Sequence, residues 1–210
     1  IVWTLYFYFS MVIVMGIVQY QLDILLRKQY KAELFETEKA NIDQLTGMHN
    51  RRSFDRHCKA LINKLKPSQY LTLVMIDIDY FKKYNDNYGH LEGDIVLVEV
   101  ANRLKSCGAD IAVRFGGEEF VLVKTVEENE LNWLCDLPDK FANIPIPHAY
   151  SPFNQITVSA GVAYDQFCQQ RSSIKALLAT ADAAMYESKA AGRNKLTFKI
   201  VDLQPTVEKH

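Results

Sequence analysis

Apolar and polar positions divide the chain into a charge-free beginning and a long region in which helical and strand patterns alternate. Residues 1–18, IVWTLYFYFSMVIVMGIV, contain no charged residue, and their apolar side chains would surround a helix instead of forming a stripe along it. This length reaches the lower limit of the ~17–25 residues that span a membrane. We therefore expect a transmembrane helix over residues 1–20, with a buried helix as the alternative.

Basic residues follow this apolar segment on its C-terminal side, at Arg27, Lys28 and Lys31. Cytoplasmic flanks of membrane helices are rich in lysine and arginine, whereas a signal peptide carries its basic residues first. The order therefore favours an anchor followed by a cytoplasmic region. Because the chain opens inside the apolar segment, we expect it to be the last span of a longer protein with upstream sensory regions.

Residues 21–40 are polar, but an apolar or aromatic residue recurs every four positions without an intervening glycine or proline, at Leu22, Leu26, Tyr30 and Leu34. This spacing predicts a helix with one apolar edge. It is typical of a signalling stalk that forms a short coiled coil. The repeat is too brief to establish heptads, so a solvated connector helix is the alternative.

From residue 41 to residue 201, helical and strand patterns alternate, and 202–210 form a tail. We expect an α/β (α+β) fold with a mixed β-sheet flanked by helices. The apolar segment LTLVMIDI at 71–78 predicts a strand buried on both faces. Predicted helices cover 51–65, 80–87, 93–106, 127–141 and 172–191, and the other predicted strands cover 111–115, 120–125, 156–164 and 196–201.

Composition narrows the possible chemistry. The 210 residues are 49% hydrophobic and 23% charged, as in ordinary globular proteins, and the net charge of −1 supplies no field for nonspecific binding to nucleic acid. The four cysteines are widely spaced and form no CxxC pair. Neither a zinc site nor a disulfide framework is therefore indicated, and we expect a reducing compartment.

Two groups of carboxylates stand beside the apolar strands. Asp77 and Asp79 end the central apolar strand, where side chains two positions apart point to the same side. Glu118 and Glu119 follow two glycines in the hairpin segment RFGGEEF. Alone, each group has a plain explanation as a polar loop. If the sheet brings the groups together, they need a hard divalent cation, and Mg²⁺ prefers carboxylate, phosphate and water oxygens.

A series of segments in this region resembles the GGDEF family of diguanylate cyclase domains. The segments are DQLTGMHNRR (43–52), DIDYFKKYND (77–86), GH (89–90), GD (93–94), RFGGEEF (114–120), TVSAG (157–161), AD (181–182) and KAAGRN (189–194). The resemblance covers about residues 41–200. It implies a palm-like fold, similar to that of polymerases and nucleotide cyclases, and a homodimer that condenses two GTP molecules into cyclic di-GMP and two pyrophosphates.

The resemblance also implies a catalytic and metal-binding set. Two Mg²⁺ ions per site, with Mn²⁺ as an acceptable substitute, would be held by the carboxylates of Asp77, Glu118 and Glu119 and by the backbone carbonyl of Ile78. One of the two glutamates would take the proton of the attacking 3′-hydroxyl, and the sequence leaves open which one. Lys82 would stabilise negative charge at the phosphate.

A second implied set binds the substrate and consists of Asn85, His90, Asp94, Gly116, Gly117, Lys189 and Arg193. Asn85 and Asp94 would hydrogen-bond the guanine edge, with His90 close by. The two glycines would let the nucleotide approach the backbone, while Lys189 and Arg193 would hold the terminal phosphates. Each residue alone could belong to a solvated helix face or a helix end; their joint spacing favours a site.

One departure from the family concerns feedback by the product. Many members carry an Arg-x-x-Asp motif just before the hairpin, but here the stretch is Cys107-Gly108-Ala109-Asp110. Without the guanidinium group, a product phosphate or guanine loses its bidentate donor. We therefore expect weak feedback through that position. Tyr80 stands where the family often has phenylalanine or histidine, so the aromatic character is kept.

Three interpretations of the whole chain follow. The first is an active cyclase in the bacterial inner membrane, with a cytoplasmic catalytic domain whose pairing is set by the stalk. The second is a catalytically silent domain of the same fold that binds GTP or cyclic di-GMP. The third is a membrane scaffold in which the acidic hairpin has no chemical role. Degenerate domains usually lose the hairpin acids or the first metal-binding aspartate, and this chain keeps them.

Overall fold

The computed structural model describes residues 2–39, 41–66, 68–127, 133, 136–141, 144–164 and 174–201. The chain divides into two units, Ile1–Asn41 and Ile42–His210. The predicted tail at 202–210 and residues 128–132 and 134–135 of the predicted helix at 127–141 lie outside the described residues.

The first unit is one continuous helix, α1 (Val2–Lys39), without a break between its apolar and polar parts. Within it, Phe9–Lys31 has a mean hydropathy of 1.7 and is long and apolar enough to cross a membrane. Side chains along this helix are exposed, for example those of Trp3 and Val12. Membrane insertion and a signalling role for the stalk remain predictions.

The second unit is built on a six-stranded mixed sheet with the order β1-β3-β4-β2-β5-β6. The strands are β1 (His49–Asn50), β2 (Gln69–Ile78), β3 (Ile111–Arg114), β4 (Glu119–Glu127), β5 (Val158–Tyr164) and β6 (Leu196–Ile200). The helices are α2 (Arg51–Lys64), α3 (Phe81–Tyr88), α4 (His90–Ser106), α5 (Leu137–Phe141) and α6 (Ile174–Ala190). The predicted mixed sheet flanked by helices is confirmed.

Strand β2 lies at the centre of the sheet, antiparallel to both β4 and β5. Its residues alternate between two hydrophobic clusters, as the period of a strand requires. Ile76 belongs to the cluster that contains Val96 and Val100 of α4. Met75 belongs to the cluster that contains Leu177 of α6. The expectation that this strand is covered on both faces is therefore confirmed.

Several elements begin or end one or two residues away from the predicted positions, and three differences are larger. Helix α4 begins at His90 instead of Gly93. Gly93 lies inside the helix, and a Cβ there would come 1.9 Å from Oδ1 of Asn85, so the glycine allows a close approach to α3 and does not mark a helix start. The predicted helix at 127–141 is wrong at its beginning, because Glu127 continues β4 and pairs in register with Gln69. The short strand β1, parallel to β3, was not predicted.

Candidate active site

The end of β2 lies beside the β3–β4 hairpin because β2 and β4 are neighbours in the sheet. The strand register pairs Asp77 with Glu119. One residue further, the backbone N–H of Ile78 donates to the carbonyl oxygen of Glu118 at 3.3 Å. The predicted metal-binding residues are thus brought together at one end of the central strand.

The hairpin itself explains one of its two glycines. A Cβ at Gly116 would lie 2.5 Å from Oε2 of Glu119, because the carboxylate folds back over this position. A Cβ at Gly117 would meet nothing within 4 Å. Gly116 is therefore needed for the position of the Glu119 side chain, whereas Gly117 is exposed at the tip.

Negative charge is concentrated around Asp77, which is buried and pairs with Lys189 at 2.8 Å between Oδ2 and Nζ. Burial raises the pKa of Asp77; Lys189 opposes this effect, while repulsion by Glu119 and Asp79 adds to it. Burial and repulsion by Asp77 likewise raise the pKa of Glu118. The protein's own cations therefore compensate these carboxylates only in part, which suits a site for an added cation.

Among the described residues, no group of three or more His, Cys, Asp or Glu side chains forms a ready-made metal site. The Lys189 ammonium lies against Asp77, and Asp79 does not join the other acids as its strand position suggested. Its Oδ2 accepts from the Thr157 hydroxyl at 2.8 Å, and its Oδ1 accepts from the Ser159 hydroxyl at 2.6 Å. The remaining donors are carboxylate and carbonyl oxygens, and this hard donor set fits Mg²⁺.

The guanine-binding candidates lie on α3 and α4. Oδ1 of Asn85 is buried without a hydrogen-bond partner, beside Gly93. Asp94 is half-buried at the edge of a cavity of about 270 Å³ that is also lined by Leu45 and Ile95. His90 is exposed at the start of α4.

The predicted phosphate-binding cations differ in their surroundings. Lys189, in the last turn of α6, reaches Asp77. Arg193, in the turn before β6, lies over the ring of Tyr80, with 4.7 Å between Cζ and the ring centroid. Lys82 is exposed in the first turn of α3, and no ion pair joins it to an acid within the described part of the chain. The structure thus brings Lys189 to the acids and leaves Lys82 free of them.

Sequence reasoning missed a clamp that holds the hairpin. The Arg114 guanidinium donates to the carbonyl oxygen of Gly117, at 2.7 Å from Nη2 and 3.2 Å from Nε. Its Nη1 donates to both carboxylate oxygens of Asp43, at 3.0 and 3.2 Å. Asp43 also accepts from the backbone and hydroxyl of Thr46. The motifs DQLTG and RFGGEEF carried the signal, because each contains one of the two charged partners.

Comparison with known proteins agrees with this architecture. The family described as "Diguanylate cyclase, GGDEF domain" matches residues 40–195. The chain is 38% identical over 176 residues to the diguanylate cyclase DgcZ of Escherichia coli, covering 80% of this chain and 56% of that protein. It is 35% identical over 173 residues to the diguanylate cyclase VdcA of Vibrio cholerae, covering 79% and 49%.

A solved structure extends the similarity to the fold. The coiled coil and GGDEF domain of DgcB from Caulobacter crescentus, in complex with c-di-GMP, aligns with a TM-score of 0.67 at 28% identity, covering 82% of this chain and 93% of that one. The chain spans about half the length of the E. coli and V. cholerae relatives. On the extent of the family match and these identities, the chain belongs to the GGDEF family of diguanylate cyclase domains.

Proposed function

We propose that residues 41–201 form an active diguanylate cyclase, a nucleotidyltransferase that condenses two GTP molecules into cyclic di-GMP and two pyrophosphates. The observation that carries the proposal is the register of Asp77 opposite Glu119, which joins the two acid-bearing segments at one strand end. The names of the relatives, diguanylate cyclases DgcZ and VdcA, support the same activity.

The acidic residues of the site would have two roles, metal binding and proton transfer. Asp77, Glu118, Glu119 and the carbonyl of Ile78 would hold Mg²⁺, which when bound neutralises phosphate charge and lowers the pKa of an attacking oxygen. One hairpin glutamate would accept the 3′-hydroxyl proton. Burial already raises the pKa of Glu118, and a carboxylate with a higher pKa is a stronger base. Glu118 is therefore our first candidate for the base, with Glu119 as the other.

The base specificity would come from α3 and α4. A buried acceptor without a partner costs about 1–3 kcal/mol, so the Oδ1 of Asn85 is suited to accept an N–H from a bound ligand. Guanine presents a ring N–H and an amine on one edge, and adenine lacks this pair. With Asp94 as the second acceptor and His90 close by, the site would select GTP over ATP. The two hairpin glycines would allow close approach of the nucleotide to the backbone.

The charges at the phosphates would come from three cations. Lys189 and Arg193 would bind the terminal phosphates, and Lys82 would turn toward the reacting phosphate. Since each domain would bind one GTP, catalysis requires a homodimer. We further propose that α1 anchors the protein in the bacterial inner membrane, with the domain in the cytoplasm and an upstream sensory region controlling how the two domains pair.

A direct assay tests this function. The chain in detergent or nanodiscs is incubated with GTP and Mg²⁺, and cyclic di-GMP is measured by chromatography with mass detection. We expect turnover that requires the divalent ion and is lost in Glu119→Gln but kept in Asp55→Asn, an exposed acid on α2. GTP binding without turnover would identify the silent receptor domain instead, and absence of both would reject the nucleotide site.

A further inference from the structure

The aromatic ring of Tyr80 makes a set of contacts that the proposed mechanism does not yet use. Arg193 Cζ lies 4.7 Å from the ring centroid, and its Nη1 lies 3.5 Å from the Tyr80 hydroxyl. Lys83 Nζ lies 5.3 Å from the same centroid. The phenyl ring of Phe153 is 6.4 Å away, centroid to centroid. Tyr80 is thus surrounded by two cations and a second ring.

The backbone at Tyr80 is held in an uncommon conformation. Its φ of 57° and ψ of 23° are left-handed, and its side chain does not cap α3. Such a conformation in a bulky residue is strained and persists only when its surroundings fix it. The Nε2 of the fully buried His148 lies 3.3 Å from the Tyr80 carbonyl oxygen. The backbone from which the ring projects is therefore held by contacts of the fold.

The turn that carries Arg193 is fixed to the same place by a neighbouring contact. The backbone N–H of Asn194 donates to Oδ2 of Asp79 at 3.0 Å. Arg193 and Asn194 also have left-handed backbones, with φ of 65° and 49°. Two adjacent contacts therefore join these segments. The Asp79 carboxylate accepts from Asn194, and the Tyr80 ring lies against Arg193.

Arg193 differs from Lys189 in what balances its charge. Lys189 pairs with the Asp77 carboxylate, whereas no carboxylate lies within ion-pair distance of Arg193 among the described residues. An aromatic ring attracts a guanidinium through its face. The five N–H donors of the guanidinium lie in its plane, so stacking leaves most of them available to an anion.

We propose that Tyr80 is a positioning residue that holds the Arg193 guanidinium by its face, so that its N–H edge is presented to the terminal phosphates of the nucleotide. The inference rests on the proposed GTP site and adds a residue that orients one of its phosphate-binding side chains. Stacking restricts a long side chain before the ligand arrives, which lowers the entropy lost on binding. The role belongs to the ring, so the hydroxyl contributes little.

The experiment compares Tyr80→Phe, which keeps the ring, with Tyr80→Leu, which removes it. A stacked guanidinium is stabilised enough for a loss of about 3- to 30-fold in affinity when the ring is deleted. We expect Tyr80→Leu to raise the KM for GTP by that factor with a smaller change in kcat, and Tyr80→Phe to raise it less than about threefold. Tyr186→Leu, an exposed aromatic residue on α6, is the matched control and should leave KM unchanged.

A double-mutant cycle separates positioning from a purely structural role. In an Arg193→Met background, Tyr80→Leu should add less than about twofold to KM, because the side chain it positions is already gone. Equal effects of Tyr80→Leu in both backgrounds would show that the ring acts through the start of α3 and would overturn the proposal. Arg193→Lys, which keeps the charge but loses the planar face, should resemble Tyr80→Leu.

A spectroscopic readout keeps the inference separate from the activity. Ring currents of Tyr80 should shift the NMR signals of the Arg193 side chain, and this shift should survive in Tyr80→Phe and disappear in Tyr80→Leu. A wild-type protein that shows the shift but neither binds nor converts GTP would reject the proposed function while keeping the contact. Wild-type turnover with no shift and no change of KM in Tyr80→Leu would reject the positioning role alone.

Discussion

Two aspartates of the same strand end, Asp77 and Asp79, occupy opposite physical situations. Both are buried, with 5% and 2% of their surface exposed. Asp79 accepts hydrogen bonds from two hydroxyls and one backbone N–H, all of them neutral donors. Asp77 faces an ammonium on one side and other carboxylates around it. One acid is satisfied by the fold, and the other is left in a field of excess negative charge.

The contrast between Asp77 and Asp79 shows that the partners of a buried acid determine whether it serves the fold or a site. The neutral donors to Asp79 come from Thr157 just before β5, from Ser159 of β5 and from the α6–β6 turn. They fix Asp79 as part of the framework, because removing one of them would leave a buried carboxylate oxygen short of a donor. The ammonium that balances Asp77 belongs to a long side chain that is partly exposed and can turn away. We therefore predict that Asp77, and not Asp79, is the acid that binds a ligand.

The largest expected effect comes from Asp77→Asn. Loss of one carboxylate at the proposed reacting centre should lower the rate of cyclic di-GMP formation at least about a hundredfold. The melting temperature should change little, since the substitution also relieves repulsion among the acids and Lys189 can reach solvent. The initial rate with GTP and Mg²⁺, together with a thermal melt followed by circular dichroism, measures both quantities.

A stable Asp77→Asn variant that retains most of its activity would show that Asp77 is no more catalytic than Asp79. Glu118→Gln/Glu119→Gln provides a related check, because it should abolish Mg²⁺-dependent GTP binding more than it harms folding. A collapse of ligand-free stability in that double variant would instead mean that the hairpin acids are structural.

The second expected effect concerns Asp79→Asn, which should act on stability first. The amide replaces one acceptor oxygen by a donor among three groups that already donate, so we expect a loss of about 2–3 kcal/mol in the free energy of unfolding. Urea denaturation measures it, with Asp55→Asn as the exposed control. A variant as stable as the wild type but inactive would place both aspartates in the catalytic centre.

The sequence alone was sufficient to predict the alternation of helices and strands and the pair of acids in the hairpin. The unbroken apolar segment at 71–78 has the pattern of a strand covered on both faces, and β2 is that strand. The pattern could not distinguish Asp77 from Asp79, because strand parity gives both the same side. Their difference depends on Thr157, Ser159 and Asn194, which are about 80 or more positions away in the chain.

Other features depended on contacts between distant segments. Gly93 was predicted to start a helix, but it lies within α4. The close approach of Asn85 on α3 explains why this position is a glycine. The clamp from Arg114 to Asp43 joins residues 71 positions apart. His148 has no pattern that marks it, although it is fully buried and lies against the backbone of Tyr80. Such contacts follow from the packing of the sheet and not from local periodicity.

A third acid, Asp43, stands between Asp77 and Asp79 because it has both neutral and charged partners. Burial tends to raise its pKa, but hydrogen bonds from Thr46 and the nearby Arg114 guanidinium outweigh this and lower it. A carboxyl whose pKa is lower in the folded state stabilises the protein above its unfolded pKa, and this stabilisation is lost as the pH falls through the folded pKa. Asp43→Asn should therefore reduce stability at neutral pH, and its deficit should shrink in acid.

The measurement is the free energy of unfolding of the wild type and Asp43→Asn between about pH 3 and pH 7. Arg114→Lys is the matching change on the other side of the clamp, since it keeps the charge but loses the forked donor. A deficit that stays constant, or grows as the pH falls, would contradict the assigned sign and would mean that the Asp43 carboxylate is not stabilised by its partners.

The smallest expected effect belongs to Asp110, which resembles Asp79 and not Asp77. Its Oδ2 accepts from the backbone N–H and the hydroxyl of Thr125, at 2.7 and 2.8 Å. Cys107, at the position where many family members have arginine, is buried and its carbonyl accepts from the Trp133 indole at 2.6 Å. Neither residue therefore offers a charged donor to a product phosphate.

Asp110→Ala should consequently leave inhibition by cyclic di-GMP unchanged and cost only about 1 kcal/mol of stability, because the lost hydrogen bonds are exposed to water. Thr125→Val, which removes the hydroxyl partner, should have a similar or smaller cost. Product inhibition is measured from initial rates at increasing cyclic di-GMP. An inhibition constant in the low micromolar range that disappears in Asp110→Ala would show that this carboxylate binds product despite its internal partners. Asp110 would then belong with Asp77, as an acid whose hydrogen bonds within the fold give way to a ligand.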